Sequence, residues 1–476
     1  MLTRLAYRLR LLSQLVRLYE MGLLAEVVLV YSYVRMNVEA LPGLESVPRG
    51  GGGLRGLQRW FVPQSFVGWT ESAPERYVMD LPLAPPVLLT CSPDDCRAVF
   101  TERDGALLFG EGLRRFAPHE AMFGHDAIAA LDGEDHTRFR RQLTAAFHGE
   151  ALKGYEEGIV AATERRVAGW PVGRPVRFAE LTHELARDVI ATTVFGVTQP
   201  ERARRLGTAL DRLDAALNSL ELAGRFAAAI VMRGSWAPYP RIQSIHGEIA
   251  AIAREEISER RAAPPDPARR DCLARFLADD EAAMSDEEII SALRVLVVAG
   301  WATTATTLAW LAERLARHPD ALAGCERDVR DGGTRYLSAA VQETLRMRPP
   351  VPVTLRYVAR DFDLAGLRVP RGAMIAADIE RMHHRPDLYP QPRAFRPERF
   401  LESRPGTYTW IPFGGGVHRC IGAGFALTEA RLILQTILRH VTFAHADTGG
   451  EPSQRRTLIT MPRRRAMVTL VPAAGQ

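Results

Sequence analysis

The stretch FGGGVHRCIG, from Phe413 to Gly422, surrounds one cysteine with glycines. Glycines allow tight turns and close approach of the backbone to a flat ligand, so several N–H groups can point at the Cys420 sulfur. The run FALTEARLILQTILRHV that follows has the pattern of a long amphipathic helix, whose positive N-terminal end also favours a thiolate. A thiolate placed in this way can bind a metal ion. The loop alone fits a buried free cysteine equally well, so both interpretations stay open.

A second pair of residues could form an internal ion pair. Glu343 and Arg346 stand three apart in VQETLRMRPP, so they share one face of a predicted helix. In isolation such a pair is usually an exposed ion pair that contributes little to stability. The segment FRPERF adds Arg399 shortly before the cysteine loop.

Two further stretches carry groups that could bind or move a proton. In LDGEDHTRFRRQL, His136 and Arg140 are one helical turn apart and could both face a carboxylate, although such a histidine is more often solvated. The run VLVVAGWATTATTLAWLAERLARHPD, residues 295–320, is apolar on most faces and predicts a helix that crosses the core. Its row of alanine and threonine could line a cavity or simply be a tight packing surface.

Together these motifs resemble the cytochrome P450 superfamily. The loop matches the signature F-x-x-G-x-[HR]-x-C-x-G at every defining position, and Glu343 and Arg346 match its E-x-x-R. The resemblance covers roughly residues 75 to 472. It implies a mainly α fold with small β-sheets, a triangular helical prism in which a long central helix lies over the haem and the cysteine loop lies beneath it.

The resemblance also implies a role for each matching residue. Cys420 would be the metal ligand, an axial thiolate on the iron of heme b (iron protoporphyrin IX), where it favours O–O cleavage. Phe413 would lie against the sulfur side of the macrocycle, and Gly422 completes the signature. The residues expected to bind the haem propionates are His136, Arg140, Arg356 and His418. Glu343, Arg346 and Arg399 would form a buried triad that fixes the loop under the haem.

The central helix departs from the family pattern A-G-x-[DE]-T-T at one important position. Thr303 matches the threonine that supports proton delivery during oxygen activation, and the small Ala299 and Gly300 would leave room for dioxygen. Ala302, however, stands where an acid is usual, and Trp301 precedes it. A carboxylate there normally orients the water of the relay. Either Thr303, Thr304 and ordered water carry the protons, or the reaction is not a simple hydroxylation.

Composition limits the functional classes. The chain of 476 residues is 47% hydrophobic and 25% charged, which is ordinary for a globular protein. Its 61 basic and 56 acidic residues are interspersed, so nucleic-acid binding has no support, although a modest basic patch could dock an acidic protein partner. The five cysteines lack zinc-site spacings and indicate a reduced, cytoplasmic setting. They are Cys91, Cys96, Cys272, Cys325 and Cys420.

The pattern along the chain divides it into two parts. Residues 1–56 are expected to be a helical extension followed by a flexible Gly-rich joint, VPRGGGGLRG, and residues 57–476 the catalytic domain. The segment GLLAEVVLVYSYV, residues 22–34, is too short to span a membrane, but it could lie on a membrane surface or dock on the protein. Residues 111–330 read as mostly helical, with strands at 85–91, 361–378 and 466–472.

The sequence therefore predicts a bacterial haem-thiolate monooxygenase that takes electrons from a ferredoxin or a similar partner and activates O2. The substrate chamber is expected above the haem, lined by residues 105–122, 213–239 and 296–307. Their apolar composition favours a lipophilic small molecule, as in natural product metabolism. One alternative is an atypical reaction, such as group transfer, oxidative coupling, dehydration or peroxide-driven turnover, because of Ala302. Another is a non-catalytic haem-binding protein.

Overall fold

The structure is a computed structural model that describes residues 44, 46–52, 74–80, 86–116, 119–124, 127–219, 239–264, 266, 268–278, 284–447, 449–456 and 458–473. The amphipathic segment expected at residues 22–34 lies outside these residues. So do residues 220–238, which belong to one of the segments expected to line the substrate chamber.

Helices form most of the described structure. The first group is α1 (Pro93–Thr101), α2 (Phe109–Phe116), α3 (His119–Phe123), α4 (Gly133–Thr144), α5 (Glu150–Val167), α6 (Phe178–Ile190), α7 (Pro200–Leu217) and α8 (Pro240–Ala262). The second is α9 (Cys272–Ala278), α10 (Asp286–Arg317), α11 (Pro319–Arg330), α12 (Arg335–Met347), α13 (Ile379–His383), α14 (Arg399–Glu402) and α15 (Ala423–His440). The helical content expected for residues 111–330 is confirmed.

The described strands form small sheets and hairpins. They are β1 (Arg49–Gly52), β2 (Arg76–Asp80), β3 (Val87–Thr90), β4 (Leu107–Leu108), β5 (Pro175–Arg177), β6 (Val353–Val358), β7 (Phe362–Leu364), β8 (Leu367–Val369), β9 (Met374–Asp378), β10 (Val441–His445), β11 (Ser453–Arg456), β12 (Ile459–Pro462) and β13 (Met467–Pro472). The largest sheet has the order β1-β2-β3-β9-β6-β4, and a second has the order β10-β13-β5. The remaining strands pair as the hairpins β7-β8 and β11-β12.

Helix α10 is the long central helix that the sequence predicts. It begins at a capping box, in which the Ser285 hydroxyl accepts from the Glu288 N–H (3.3 Å) and the Glu288 carboxylate accepts from the Ser285 N–H (2.9 Å). It ends just before Pro319, which starts α11. By length and composition, Asp286–Arg317 and Gly416–His440 are the two described segments that could cross a membrane. Both are mostly buried inside the protein, as core helices are.

Close packing of α6 on α10 explains two residues of the central motif. A Cβ added to Gly300 would lie 2.8 Å from the Ile190 side chain, so a glycine there allows the two helices to approach. The buried Trp301 indole donates to the His183 carbonyl (3.0 Å) and therefore points towards α6. The small size of Gly300 thus serves helix packing, and the room for dioxygen expected at Ala299 and Gly300 stays a prediction.

Part of the expected flexible joint is instead integrated in the largest sheet. Residues of β1 pair in parallel with β2. Just before β1, Leu44 and Val47 are 2% and 7% exposed and join a core cluster that includes Cys91 and Met382. The glycine run is therefore an edge strand. We propose that the catalytic domain includes Leu44, Val47 and β1 and does not begin only after Gly56.

This boundary can be tested by comparing two shortened proteins, one starting at Leu44 and one at Leu57. The shorter protein loses β1 and two buried aliphatic side chains, each of which contributes about 1.5–3 kcal/mol when fully buried. We expect a lower denaturant midpoint and lower haem content for the protein that starts at Leu57. If the two proteins had the same denaturant midpoint, the domain would instead begin after Gly56.

Candidate active site

The cysteine loop is tightly turned and packs on α1. Gly414 and Gly416 have φ of 66° and 69°, in the left-handed region that favours glycine. A Cβ added to Gly415 would collide with the Phe100 ring, and one added to Gly416 would collide with the Phe100 carbonyl. The Cys420 N–H donates to the Phe413 carbonyl (2.9 Å), which closes the loop three residues before α15 begins. The glycines are therefore required both by backbone conformation and by close packing.

The Cys420 thiol is surrounded by protein atoms but keeps accessible surface, as a side chain that faces an internal cavity does. Burial raises the pKa of the thiol, while a hydrogen bond from the Gly422 N–H and the positive charges of Arg140 and Arg419 act in the opposite direction. A bound metal cation would supply the missing stabilisation of the thiolate. The surroundings of Cys420 therefore suit a metal ligand.

The middle of α10 also presents accessible surface although most of this helix is buried. Ala299 is exposed, and Ala302 and Thr303 are partly exposed. The Thr303 hydroxyl donates to the Ala299 carbonyl (2.7 Å), a turn earlier. This accessible stretch of α10 falls within residues 296–307, which the sequence expects to line the substrate chamber. On this helix the chamber wall consists of the Thr303 hydroxyl and the methyl groups of Ala299 and Ala302, and position 302 has no acidic group.

Thr304 does not share this chamber wall. Its side chain is buried and donates a hydrogen bond to the Glu429 carboxyl on α15 (Oγ1 to Oε2, 3.0 Å). Burial raises the pKa of Glu429 to about 8, and only the hydrogen bond from Thr304 opposes this shift. Sequence reasoning missed Glu429. The available signal was an acidic residue within the apolar run of α15.

His136 and His418 lie against each other, so α4 and the cysteine loop meet. Their ring centroids are 3.8 Å apart. Burial, reinforced by nearby arginines, lowers the pKa of His136 to about 4 and that of His418 to about 2, so both rings are neutral at physiological pH. The His418 Nε2 lies 3.6 Å from Asp132, whose carboxylate accepts from two backbone N–H groups at the start of α2 (2.8 Å each). Asp132 was not among the candidates from sequence.

Arg356 is a buried cation without a carboxylate partner among the described residues. It is 4% exposed and donates to the Leu355 carbonyl (2.8 Å) and the Thr354 hydroxyl (3.2 Å). Burial lowers the pKa of its guanidinium to about 10. Arg140 is half buried, and burial lowers its pKa as well. Two such cations near one loop suit an anionic ligand, because burying an uncompensated charge is costly.

The structure brings most of the predicted residues to one place. Arg356 reaches the Gly415 carbonyl (3.5 Å) and lies over the Phe109 ring, which contacts His418. Phe413 is partly buried at the start of the loop and meets Trp410 edge to face, with centroids 6.1 Å apart. Three of the predicted residues lie in the loop itself: His418, Cys420 and Gly422. Three more lie close to it: His136, Arg140 and Arg356. Thr303 lies on α10, and Thr304 on the same helix points towards Glu429.

The buried triad is present and fixes the segments that lead to the loop. Glu343 binds Arg346 through two hydrogen bonds (2.6 and 2.9 Å) and accepts a third from Arg399 Nε (3.1 Å). Glu343 and Arg346 are both fully buried. The Glu343 carboxylate also accepts from the Arg396 N–H (2.9 Å). Both arginines of the triad therefore share one buried carboxylate, and backbone carbonyls accept from their remaining N–H groups.

His383 connects this triad to the chain just before the loop. Arg346 donates to the His383 carbonyl (2.7 Å), and the His383 Nδ1 lies 3.1 Å from the Arg346 carbonyl. Its Nε2 accepts from the Ile411 N–H (2.9 Å), so Nδ1 carries the proton. Burial lowers the pKa of His383 well below its usual range, which keeps the ring neutral as this arrangement requires. Nothing in the sequence singled out His383.

Comparisons with known proteins agree with this geometry. A family model described as cytochrome P450 matches residues 82–470. Cytochrome P450 137 of Mycobacterium tuberculosis is 37% identical over 380 residues, 79% of this chain and 79% of that protein. Cytochrome P450 138 of Mycobacterium bovis is 35% identical over 386 residues, 79% of this chain and 84% of that protein.

The fold is shared with a solved structure titled retinoic acid bound cyanobacterial CYP120A1. The TM-score is 0.72 at 22% identity, and the alignment covers 90% of this chain and 100% of that chain. The fold predicted from the cysteine loop and the E-x-x-R pair is confirmed.

The triad makes a direct prediction about stability. Glu343→Ala leaves Arg346 and Arg399 buried without their carboxylate, which typically costs about 3–5 kcal/mol. We expect a large fall in the denaturant midpoint and little haem-loaded protein. The matched control is Glu402→Ala, which removes an exposed ion pair with Arg396 and should leave the midpoint nearly unchanged. Equal midpoints for the two variants would contradict the assigned role of the triad.

Proposed function

The chain belongs to the cytochrome P450 family of haem-thiolate monooxygenases, and we propose that it takes electrons from a ferredoxin-type partner to oxidise a lipophilic small molecule. We further propose that this reaction belongs to bacterial natural product metabolism and takes place in the cytoplasm. The observation that carries the proposal is the cysteine loop, where an accessible thiol lies near two arginines that form no ion pair with a carboxylate among the described residues. Family membership favours an enzyme over a protein that merely binds haem.

The residues around the loop fit heme b, and we propose a role for each. Cys420 would hold the iron through its thiolate, which the Gly422 N–H would stabilise, and Phe413 would pack beside the cofactor. The anionic carboxylates of the cofactor would interact with the guanidinium groups of Arg140 and Arg356 and with the ring N–H groups of His136 and His418. Such pairing compensates the buried charge of Arg356. When bound, the haem supplies the activation of O2 with two electrons.

The residues on the accessible stretch of α10 are proposed to transfer a proton and to determine which substrates fit. The Thr303 hydroxyl is the polar side-chain group at the accessible stretch of α10, so we propose that it passes a proton to the chamber. Ala299 and Ala302 offer only methyl groups there, which supports a lipophilic substrate. Trp301 points towards α6 and therefore does not restrict this part of the chamber.

Ala302 also supports a second candidate function. Without a carboxylate at this position, the same site could run group transfer, oxidative coupling, dehydration or peroxide-driven turnover. These reactions depend less on timed proton delivery than oxygen insertion does. Dependence on O2 and on an electron donor distinguishes the two functions.

Replacing the proposed metal ligand tests the haem-thiolate assignment. Cys420→Ser should lose the long-wavelength absorption band of reduced, CO-treated protein, because that band requires a thiolate donor. Cys325→Ser changes another buried cysteine, which packs in the core away from the loop, and should keep the band. Survival of the band in Cys420→Ser would show that another residue binds the iron.

The role of Thr303 in proton transfer can be tested by measuring the product and the hydrogen peroxide formed per electron consumed. With surrogate ferredoxin and reductase and a substrate found by spectral titration, Thr303→Ala should lower product per electron several-fold and raise hydrogen peroxide. Ala302→Glu should keep or raise the product yield, since it restores an acid beside the threonine. If Thr303→Ala changes nothing and turnover does not need O2, the second candidate function replaces the first.

A further inference from the structure

Two hydrogen bonds connect α6 and α10, and each helix donates one of them. The Trp301 indole N–H donates from α10 to the His183 carbonyl on α6 (3.0 Å). The Thr182 hydroxyl donates from α6 to the Ala305 carbonyl on α10 (3.0 Å) and also lies 3.3 Å from the Ala179 carbonyl of its own helix. The two donor residues are 3% and 0% exposed. Because a hydrogen bond has a preferred direction as well as a length, this pair restricts both sliding and rotation of α10 against α6.

The accessible residues of α10 lie on the side of the helix opposite Trp301. Successive residues of an α-helix are rotated by about 100°, so Ala299 and Thr303 are each about 200° from Trp301. Ala305 is only about 40° from Trp301 and shares its side of the helix. The observed exposure agrees, since Ala299 is exposed and Thr303 partly exposed, whereas Trp301 is buried. The direction in which Trp301 points is therefore coupled to the direction in which Thr303 points.

The Trp301 indole is held at its ring as well as at its N–H group. The His183 ring packs on it, with ring centroids 4.4 Å apart and an angle of 50° between the planes. The His183 Nε2 in turn lies 3.8 Å from the Asp214 Oδ2 on α7. The indole could not turn towards the accessible side of α10 without losing both the hydrogen bond and this ring contact.

The N-terminus of α6 is itself held by a turn near the end of the chain. The N–H groups of Phe178 and Ala179 donate to the carbonyls of Ala466 (3.1 Å) and Arg465 (3.0 Å). Arg465 and Ala466 have φ of 67° and 53°, in a left-handed region that is uncommon for residues other than glycine. Their carbonyls accept from two of the N–H groups that a helix N-terminus leaves without an intrahelical partner. α6 is therefore anchored one turn before the residues that contact α10.

We propose that Trp301 and Thr182 are positioning residues, which hold α10 in the rotation that presents Thr303 to the chamber. Both side chains are buried, so they act on the reaction through Thr303. The Thr303 hydroxyl donates to the Ala299 carbonyl of the same helix, and its direction therefore follows the rotation of α10. The inference rests on the proposed role of Thr303 in proton transfer.

The geometry can be measured without turnover. Ultraviolet resonance Raman difference spectra between wild type and Trp301→Phe should show the indole band of a hydrogen-bonded N–H group. Amide hydrogen exchange in peptides covering residues 295–307 should become several-fold faster in Trp301→Phe and in Thr182→Val, because each variant loses one donor between the helices. The control is Thr163→Val on α5, a buried hydroxyl that donates within its own helix to the Ile159 carbonyl (2.7 Å). An indole band without a hydrogen bond, or unchanged exchange in both variants, would overturn the proposal.

The effect on the reaction can be measured as the product and the hydrogen peroxide formed per electron consumed, with surrogate ferredoxin and reductase. Trp301→Phe keeps an aromatic ring and Thr182→Val keeps the side-chain shape, so both variants should retain normal haem content. Each should lower the product yield several-fold and raise peroxide. Thr182→Ser keeps the hydroxyl and should behave as wild type, and so should Thr163→Val.

A double variant separates the positioning of Thr303 from a general loss of packing. If Trp301 acts through Thr303, adding Trp301→Phe to Thr303→Ala should lower the product yield no further, whereas a packing defect would add to the loss. A further several-fold loss in the double variant would refute the positioning role, and the proposed function would stand. If Thr303→Ala alone leaves the yield unchanged, the proposed role of Thr303 fails, and the exchange measurements still decide whether the two hydrogen bonds orient α10.

Discussion

The buried carboxylate of Glu343 is the constraint on which the rest of the site depends. It is the carboxylate partner of two buried guanidinium groups, so moving either arginine would break an ion pair inside the core. Arg346 donates a hydrogen bond to the His383 carbonyl, and the His383 ring accepts one from the Ile411 N–H. The loop that presents Cys420 begins two residues later. A network far from any reacting atom thereby fixes the position of the proposed metal ligand.

The polar groups around the loop are arranged for an anion that the protein does not itself provide. Arg356 is buried with neutral partners, and His136 and His418 are kept neutral by burial and by nearby arginines. The fixed carboxylate nearby, Asp132, is engaged by backbone N–H groups of α2. A ligand with acidic groups would compensate the positive charge of Arg356. The residues present therefore fit the haem that the sequence predicts.

Sequence motifs predicted the residues whose spacing alone defines their geometry. Glu343 and Arg346 had to share a helix face, and the glycines around Cys420 had to turn. Residues whose role depends on a distant partner escaped prediction. Glu429 faces Thr304 across 125 positions, and Gly300 is small because of Ile190 on another helix. The glycine run at β1 resembled a joint because its pairing with β2 is not encoded in its own composition.

The contact between the cysteine loop and α1 joins early and late parts of the chain. Gly415 and Gly416 lie so close to Phe100 that the loop and α1 can only take their final positions together. During synthesis, Phe100 leaves the ribosome more than three hundred residues before the loop does. The contact between the loop and α1 can therefore form only after the loop has left the ribosome, and until then Phe100 lacks this partner.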